Sequence, residues 1–261
     1  MSIQSLYTAA TGMDSQQTKL DVIANNLANI NTTGFKKGRA NFEDNFYRHY
    51  MLPTENTPEG ISVGLGSKVS SIQTEQKQGS FQDTGNWSDV AIEGRGFFVA
   101  TDPITSETVY TRAGNFSVNS QGQLVLGSAQ LGRVVEPNIS IPNDAFNMNI
   151  APDGNVSYFQ TGQTQATNAG QLTLATFQNP EGLIKKGENL YVQSDASGQP
   201  QINQPGQSGT GMLQSNYLEA SNVNPVTELI DLITTQRSFE LNAQMIQAGD
   251  QILQLISNLR R

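Results

Sequence analysis

Residues 6–34 read LYTAATGMDSQQTKLDVIANNLANINTTG, and the spacing of their apolar positions decides the fold at this end of the chain. Leu6, Met13, Leu20 and Leu27 recur every seven residues, and Ile23 and Ile30 stand three places after members of that series. Such a repeat is the a/d seam of a helix that packs against another helix. The helix is expected to close near Asn31-Thr32-Thr33-Gly34, where Gly34 supplies the left-handed residue that ends a helix. Lys36, Lys37 and Arg39 follow, and cations just beyond a helix C-terminus read as a solvated junction favoured by the helix dipole.

The other end of the chain carries a matching pattern. Asn224 caps a helix that opens with Pro225, and Glu228 and Asp231 place negative charge near its positive end. Leu232, Phe239, Ile246 and Leu253 then repeat every seven residues, with Met245, Ile252 and Leu259 forming an adjoining stripe. From Pro225 to the terminus such a helix is roughly 50 Å long at ~1.5 Å per residue, more than a small globular middle covers. Each seam residue contributes about 1.5–3 kcal/mol when buried, against ~1–2 kcal/mol of backbone entropy for every residue ordered. One partner helix therefore barely offsets the cost, and the two helices are expected to find partners in neighbouring copies.

Between the helices the pattern changes to short apolar or alternating runs: Lys68–Gln73, Val90–Ile92, Phe97–Ala100, Val109–Thr111, Leu124–Leu126, Ile139–Ile141, Asn155–Phe159, Leu172–Phe177 and Leu190–Val192. These predict strands, with Gln121-Gly122 and Asp153-Gly154 as turns. Residues 46–66, which include Pro53 and Pro58, read as a loop or extended arm, and 193–211 as a second loop region. The predicted class is α+β, with long terminal helices forming an intermolecular coiled-coil layer and an all-β middle body. Its parts are 1–34 for the first helix, 35–88 for the arm and connecting strands, 89–211 for the β body, and 212–261 for a closing strand and long helix.

Composition narrows the function. Hydrophobic residues make up 36% of the chain and charged residues 15%, with 15 Lys and Arg against 23 Asp and Glu for a net charge of -8. That balance argues against nucleic acid and anionic bilayers as partners. There is no cysteine, hence no disulfide, thiolate metal site or thiol nucleophile, and the single histidine, His49, has no second imidazole with which to hold a metal. No Gly-x-Ser-x-Gly elbow occurs, and Gly94-Arg95-Gly96 lacks the third glycine of a dinucleotide loop and reads as a tight turn. Carboxylates such as Asp83, Asp89, Glu93, Asp102 and Glu107 read as surface and turn residues; an acid pair among them is what a glycan-cleaving protein, the alternative class, would need. No catalytic, cofactor or metal site is expected. The N-terminal residues have neither a basic nor an apolar leader segment, and no run of about 20 apolar residues could span a bilayer.

Ala24-Asn25-Asn26-Leu27-Ala28-Asn29-Ile30-Asn31-Thr32-Thr33-Gly34-Phe35-Lys36 resembles the N-terminal signature shared by bacterial flagellar rod and hook proteins. Leu218-Glu219-Ala220-Ser221-Asn222-Val223-Asn224, Thr235-Gln236-Arg237-Ser238-Phe239-Glu240 and, in the middle, Asp89-Val90-Ala91-Ile92-Glu93-Gly94-Arg95-Gly96-Phe97-Phe98 are similar to the same family. The block order is most like its distal-rod members, with proximal-rod and hook-type subunits as the alternative. The resemblance implies a non-enzymatic subunit exported by the flagellar type III apparatus without a cleaved signal peptide. It further implies a helical homopolymer in the basal body that spans the periplasm between proximal-rod proteins and hook, with outer-ring bushing proteins as further partners. On this reading the seam residues are subunit-packing residues, and Asn25, Asn26, Asn29 and Asn242 set register through amide hydrogen bonds.

Overall fold

The computed structural model describes residues 3–53, 59–127, 132–161, 163 and 165–259. The fold is α+β, with a helix at each end of a mostly β middle. It divides into two units, one formed by the chain up to Ala28, by Gly38–Glu75 and by the chain from Asn224, the other by Asn29–Lys37 and Gln76–Val223.

The first unit holds α1 (Ile3–Ala28), β1 (Gly38–Asp44), β2 (Tyr47–Met51), β3 (Ile61–Gly64), β4 (Ser67–Thr74) and α2 (Pro225–Leu259). Helix α1 ends at Ala28, earlier than expected, in a turn where the Thr32 N–H donates to the Asn29 carbonyl (3.1 Å), and Gly34 follows with φ of 69°. The start of α2 is as expected: Asn224 Oδ1 accepts the N–H groups of Val226 (3.1 Å) and Thr227 (3.3 Å), and Pro225 occupies the first helical position.

The stretch 46–66, expected as a loop or extended arm, forms part of a two-stranded ribbon whose strand pairing was not expected. β1 pairs with β4 and β2 with β3, and the ladder continues between them through Asn45 N–H to Gly66 O (2.7 Å) and Leu65 N–H to Phe46 O (2.9 Å). Every residue of β2 is exposed, so no alternation marked it as a strand. Residues 54–58, Pro58 among them, lie outside the described residues.

The β-rich unit runs through β5 (Phe81–Asp83), β6 (Val90–Glu93), β7 (Phe97–Thr101), β8 (Thr108–Thr111), β9 (Phe116–Val118), β10 (Leu124–Leu126), β11 (Val134–Glu136) and β12 (Ala145–Ile150). It continues with β13 (Asn155–Gln160), β14 (Thr167–Gln171), β15 (Leu174–Thr176), β16 (Ile184–Gly187), β17 (Leu190–Val192), β18 (Gln201–Asn203), β19 (Met212–Ser215) and β20 (Tyr217–Glu219). The main sheet follows the order β16-β17-β8-β7-β11-β10-β9, with β15 joining β7 and β18 joining β15; β12-β13-β14 form a second sheet. The pleat sends alternate residues of β7 to opposite faces, and both faces are buried. Phe98 and Ala100 enter the larger core with Val90, Ile92, Leu124 and Leu174, whereas Phe97 and Val99 pack with Tyr110, Ala175 and Tyr191. Ile139–Ile141 is no strand; Ile139 and Ile141 are core residues on an extended link held by a single bridge between Ser140 and Gln123. The 193–211 region carries β18, and Gly94-Arg95-Gly96 is the tight turn between β6 and β7.

Candidate assembly surface

Within the first unit α1 is covered on two sides. Helix α2 runs antiparallel to it: Asn26 Nδ2 donates to Glu228 Oε2 (3.1 Å), a Cβ added at Gly12 would stand 3.0 Å from Asn242 Nδ2, and one at Gly249 would stand 2.5 Å from Leu6 Cδ2. At Gly12 and Gly249 the end of the partner side chain occupies the space a methyl would take. The ribbon covers a second side, with Ser15 Oγ donating to the Ser67 carbonyl (3.3 Å) and Tyr50 Oη to Gln4 Oε1 (3.2 Å). The helices thus find partners in their own chain, which the single-partner estimate from sequence did not include.

The four asparagines proposed to set register fall in different places. Asn26 is buried, its Nδ2 also donating to the Gly38 carbonyl (2.9 Å) while its Oδ1 accepts the Gly38 N–H (2.9 Å). Asn242 is half-buried against Gly12, Asn29 Oδ1 accepts the Thr32 hydroxyl (3.1 Å), and Asn25 is the exposed one of the four.

Of the seam residues, Ile23 is buried, and Leu6, Met13, Leu20, Leu27, Ile30, Leu232, Phe239, Ile246 and Ile252 are half-buried. Met245 and Leu253 are exposed, at 52% and 39%, and the Leu259 side chain lies outside the described part of the molecule. Sequence reading missed a second apolar face. Val226, Leu229, Ile230, Ile233, Leu241 and Leu255 are also exposed and, at about 100° per residue, share one side of α2, with Met245 at its edge and Leu253 on the far side. The spacing 226, 230, 233 was a visible i, i+4, i+7 signal, overlooked because the heptad series had claimed the helix. The ribbon exposes Phe46, Tyr47, Tyr50, Met51, Leu52, Ile61 and Val63 as well. Large apolar side chains exposed in such number on one helix and one ribbon mark a candidate interaction site.

Of the basic junction, Arg39 is exposed and Lys37 half-buried, but Lys36 is not solvated as expected. Lys36 is fully buried in the β-rich unit, its Nζ donating to Glu219 Oε1 (2.5 Å) and the Lys77 carbonyl (2.7 Å). Arg112 Nε lies 3.7 Å from Glu219 Oε2, and Arg112 Nη2 donates to the Gly94 carbonyl (2.7 Å). Burial holds the Lys36 amine below its usual range, with Glu219 opposing and Arg112 adding to the shift. Burial likewise pushes the nearby Tyr191 hydroxyl up to about 12, Arg112 opposing and Glu219 adding.

The remaining candidates hold structural partners. Asp83 Oδ1 accepts the Gly85 N–H (3.0 Å), Asn86 Nδ2 donates to Asp89 (3.3 Å), and Gln214 donates to Glu93 (2.8 Å). Asp102 and Glu107 share Lys186, at 3.5 and 3.0 Å. His49 is an exposed residue of β2, and Trp87 packs against the larger core. Among the described residues no group of three or more His, Cys, Asp or Glu is placed to hold a metal, and no helix is long and apolar enough to cross a membrane.

Three family models match the chain in order: flagella basal body rod protein over residues 6–36, flagellar hook protein FlgE/F/G D1 domain over 91–158, and flagellar basal body rod FlgEFG protein C-terminal over 214–259. The chain is 42% identical to the flagellar basal-body rod protein FlgG of Caulobacter vibrioides, over 99% of this chain and 100% of that one. It is 41% identical to FlgG of Bacillus subtilis, again over 99% and 100%. The flagellar hook-basal body complex protein FlhP of Bacillus subtilis is 31% identical over 99% of this chain and 100% of its own.

Proposed function

This chain belongs to the family of flagellar basal-body rod proteins and is a structural, non-enzymatic subunit of the rod, and from that premise we propose that its copies stack helically into the hollow distal part of that shaft. The observation that carries the reading is the open apolar surface of α2. One face of α2 is used against α1 inside the chain and another is left open, which is what a coiled-coil layer of neighbouring copies around a central channel requires.

Covering the eight exposed side chains of α2, each about half accessible, is worth on the order of 5–10 kcal/mol per subunit. Association costs ~4–15 kcal/mol, so one pairwise contact is marginal and a lattice in which each subunit meets several neighbours is favoured. Between copies the packing residues are then the exposed Ile230, Ile233, Leu241 and Met245, while the half-buried seam residues Leu6, Met13, Leu20, Leu27, Leu232, Phe239 and Ile246 serve the packing of the two helices within the chain. Asn26 and Asn242 fix register within the chain. The aromatic ribbon supplies a second surface for neighbouring copies.

In this reading the shaft spans the periplasm and transmits torque from proximal-rod proteins to the hook. It turns inside outer-ring bushing proteins, encloses the export channel, and receives subunits from the type III apparatus without a cleaved signal peptide. Purified protein concentrated stepwise and followed by sedimentation velocity and negative-stain microscopy tests the polymer. Tubes or filaments are expected, and a species that stays monomeric at every concentration contradicts it.

A further inference from the structure

The chain passes between its two units four times, after Ala28, Lys37, Glu75 and Val223. Three of the resulting leads converge inside the β-rich unit. The first, residues 34–37, belongs to no strand of that unit, so other bonds must hold it. Its Gly34 N–H donates to the Glu219 carbonyl (2.8 Å), its Phe35 carbonyl accepts the Asn222 N–H (3.4 Å), and its Lys37 N–H donates to Asn222 Oδ1 (2.8 Å). The second lead, residues 77–79, is tied to the third by Gly79 N–H to Glu219 Oε1 (2.9 Å) and by Asn222 Nδ2 to the Lys77 carbonyl (3.1 Å). Lys36 Nζ closes the set, reaching Glu219 Oε1 (2.5 Å) and the Lys77 carbonyl (2.7 Å) at once.

We propose that Lys36, Glu219 and Asn222 form one clamp that binds these three leads together and opens as a unit, so that a pull on any single lead is shared by the other two. Glu219 suits the centre of such a clamp because an ionised carboxylate is acceptor-only on two oxygens. One oxygen takes Lys36 and Gly79 while the other faces Arg112. The carboxylate faces two buried cations, Lys36 and Arg112, so its charge and not only its shape is required. The proposal does not depend on the rod reading, since it concerns bonds within one subunit.

Amide hydrogen exchange on the full-length monomer tests it. Asn222→Ala removes the side-chain acceptor of the Lys37 N–H and touches neither the Gly34 nor the Gly79 bond to Glu219. The clamp predicts that the Gly34, Lys37 and Gly79 amides all exchange at least tenfold faster in this variant, while ladder amides of β7 and β8 keep their rates. Glu219→Gln is expected to give the same joint acceleration; if that variant does not fold, Asn222→Ala decides alone. Acceleration of Lys37 by itself, or acceleration of the β7 and β8 amides in step with the three, overturns the proposal.

Discussion

The β-rich unit and the helix-and-ribbon unit spend their apolar residues in opposite ways. In the first, Val90, Ile92, Phe98, Leu124, Leu172, Leu174 and Leu213 are essentially inaccessible, and the exposed Ile104, Val118, Phe146, Ile184, Ile202 and Met212 come from six separate segments. In the second, Ala9 and Ile23 are the only buried apolar side chains among the described residues, while α2 alone exposes eight large ones. Its buried positions include Ser15, Asn26, Glu228 and Thr235. One unit is complete as it stands. The other is specified by polar bonds and glycine notches, and its apolar surface awaits something else. A subunit that folds singly and then polymerises needs both.

The contrast can be broken most severely on α2. Ile233→Asp with Leu241→Glu is expected to abolish polymerisation, the on-the-order-of 5–10 kcal/mol interaction, while leaving the circular dichroism of the monomer unchanged. Sedimentation velocity at rising concentration checks it. The mirror-image change in the β-rich unit is Phe98→Ala, at a site with no exposure, for which urea unfolding should show a loss of about 3–5 kcal/mol. Leu241→Ala in the same assay should stay within ~0.5 kcal/mol of the parent, because that side chain is 60% exposed in the monomer.

Two smaller effects sharpen the comparison. The folded state holds the Tyr191 proton up to about 12, whereas the unfolded chain loses it near 10.0. This stabilisation is complete below pH 10 and is lost as pH rises towards 12, by about 2–3 kcal/mol, and Tyr191→Phe should remove that part of the alkaline dependence. The first unit offers Asn224→Ala, which deletes the cap of α2 and should cost ~1 kcal/mol, seen as faster exchange of the Val226 and Thr227 amides.

What could be read in the sequence followed local physics. Asn224-Pro225 located the start of α2, and Val90–Ile92, Phe97–Ala100 and Val109–Thr111 located central strands, because caps and buried apolar runs are written in adjacent residues. The arm was legible as an extended arm but not as paired strands, since β2 is exposed on both faces and shows no alternation. Ile139–Ile141 misled in the other direction: its isoleucines report burial, which a linking segment supplies as well as a ladder does. At the candidate surface the heptads found the helices but not their orientation, because α2 is apolar on more than one side. Lys36 looked like a solvated cation since its carboxylate lies 183 residues away. Long-range pairing of that kind leaves no mark on local spacing.

The central claim is that the open face of α2 is covered by other copies of the same chain. The chain has no cysteine, so Leu241→Cys gives a single reporter whose maleimide reaction can be timed in the monomer and in isolated filaments. Rapid labelling of the monomer and at least tenfold slower labelling of the filament is the predicted result. Equal rates in the two states would contradict the account.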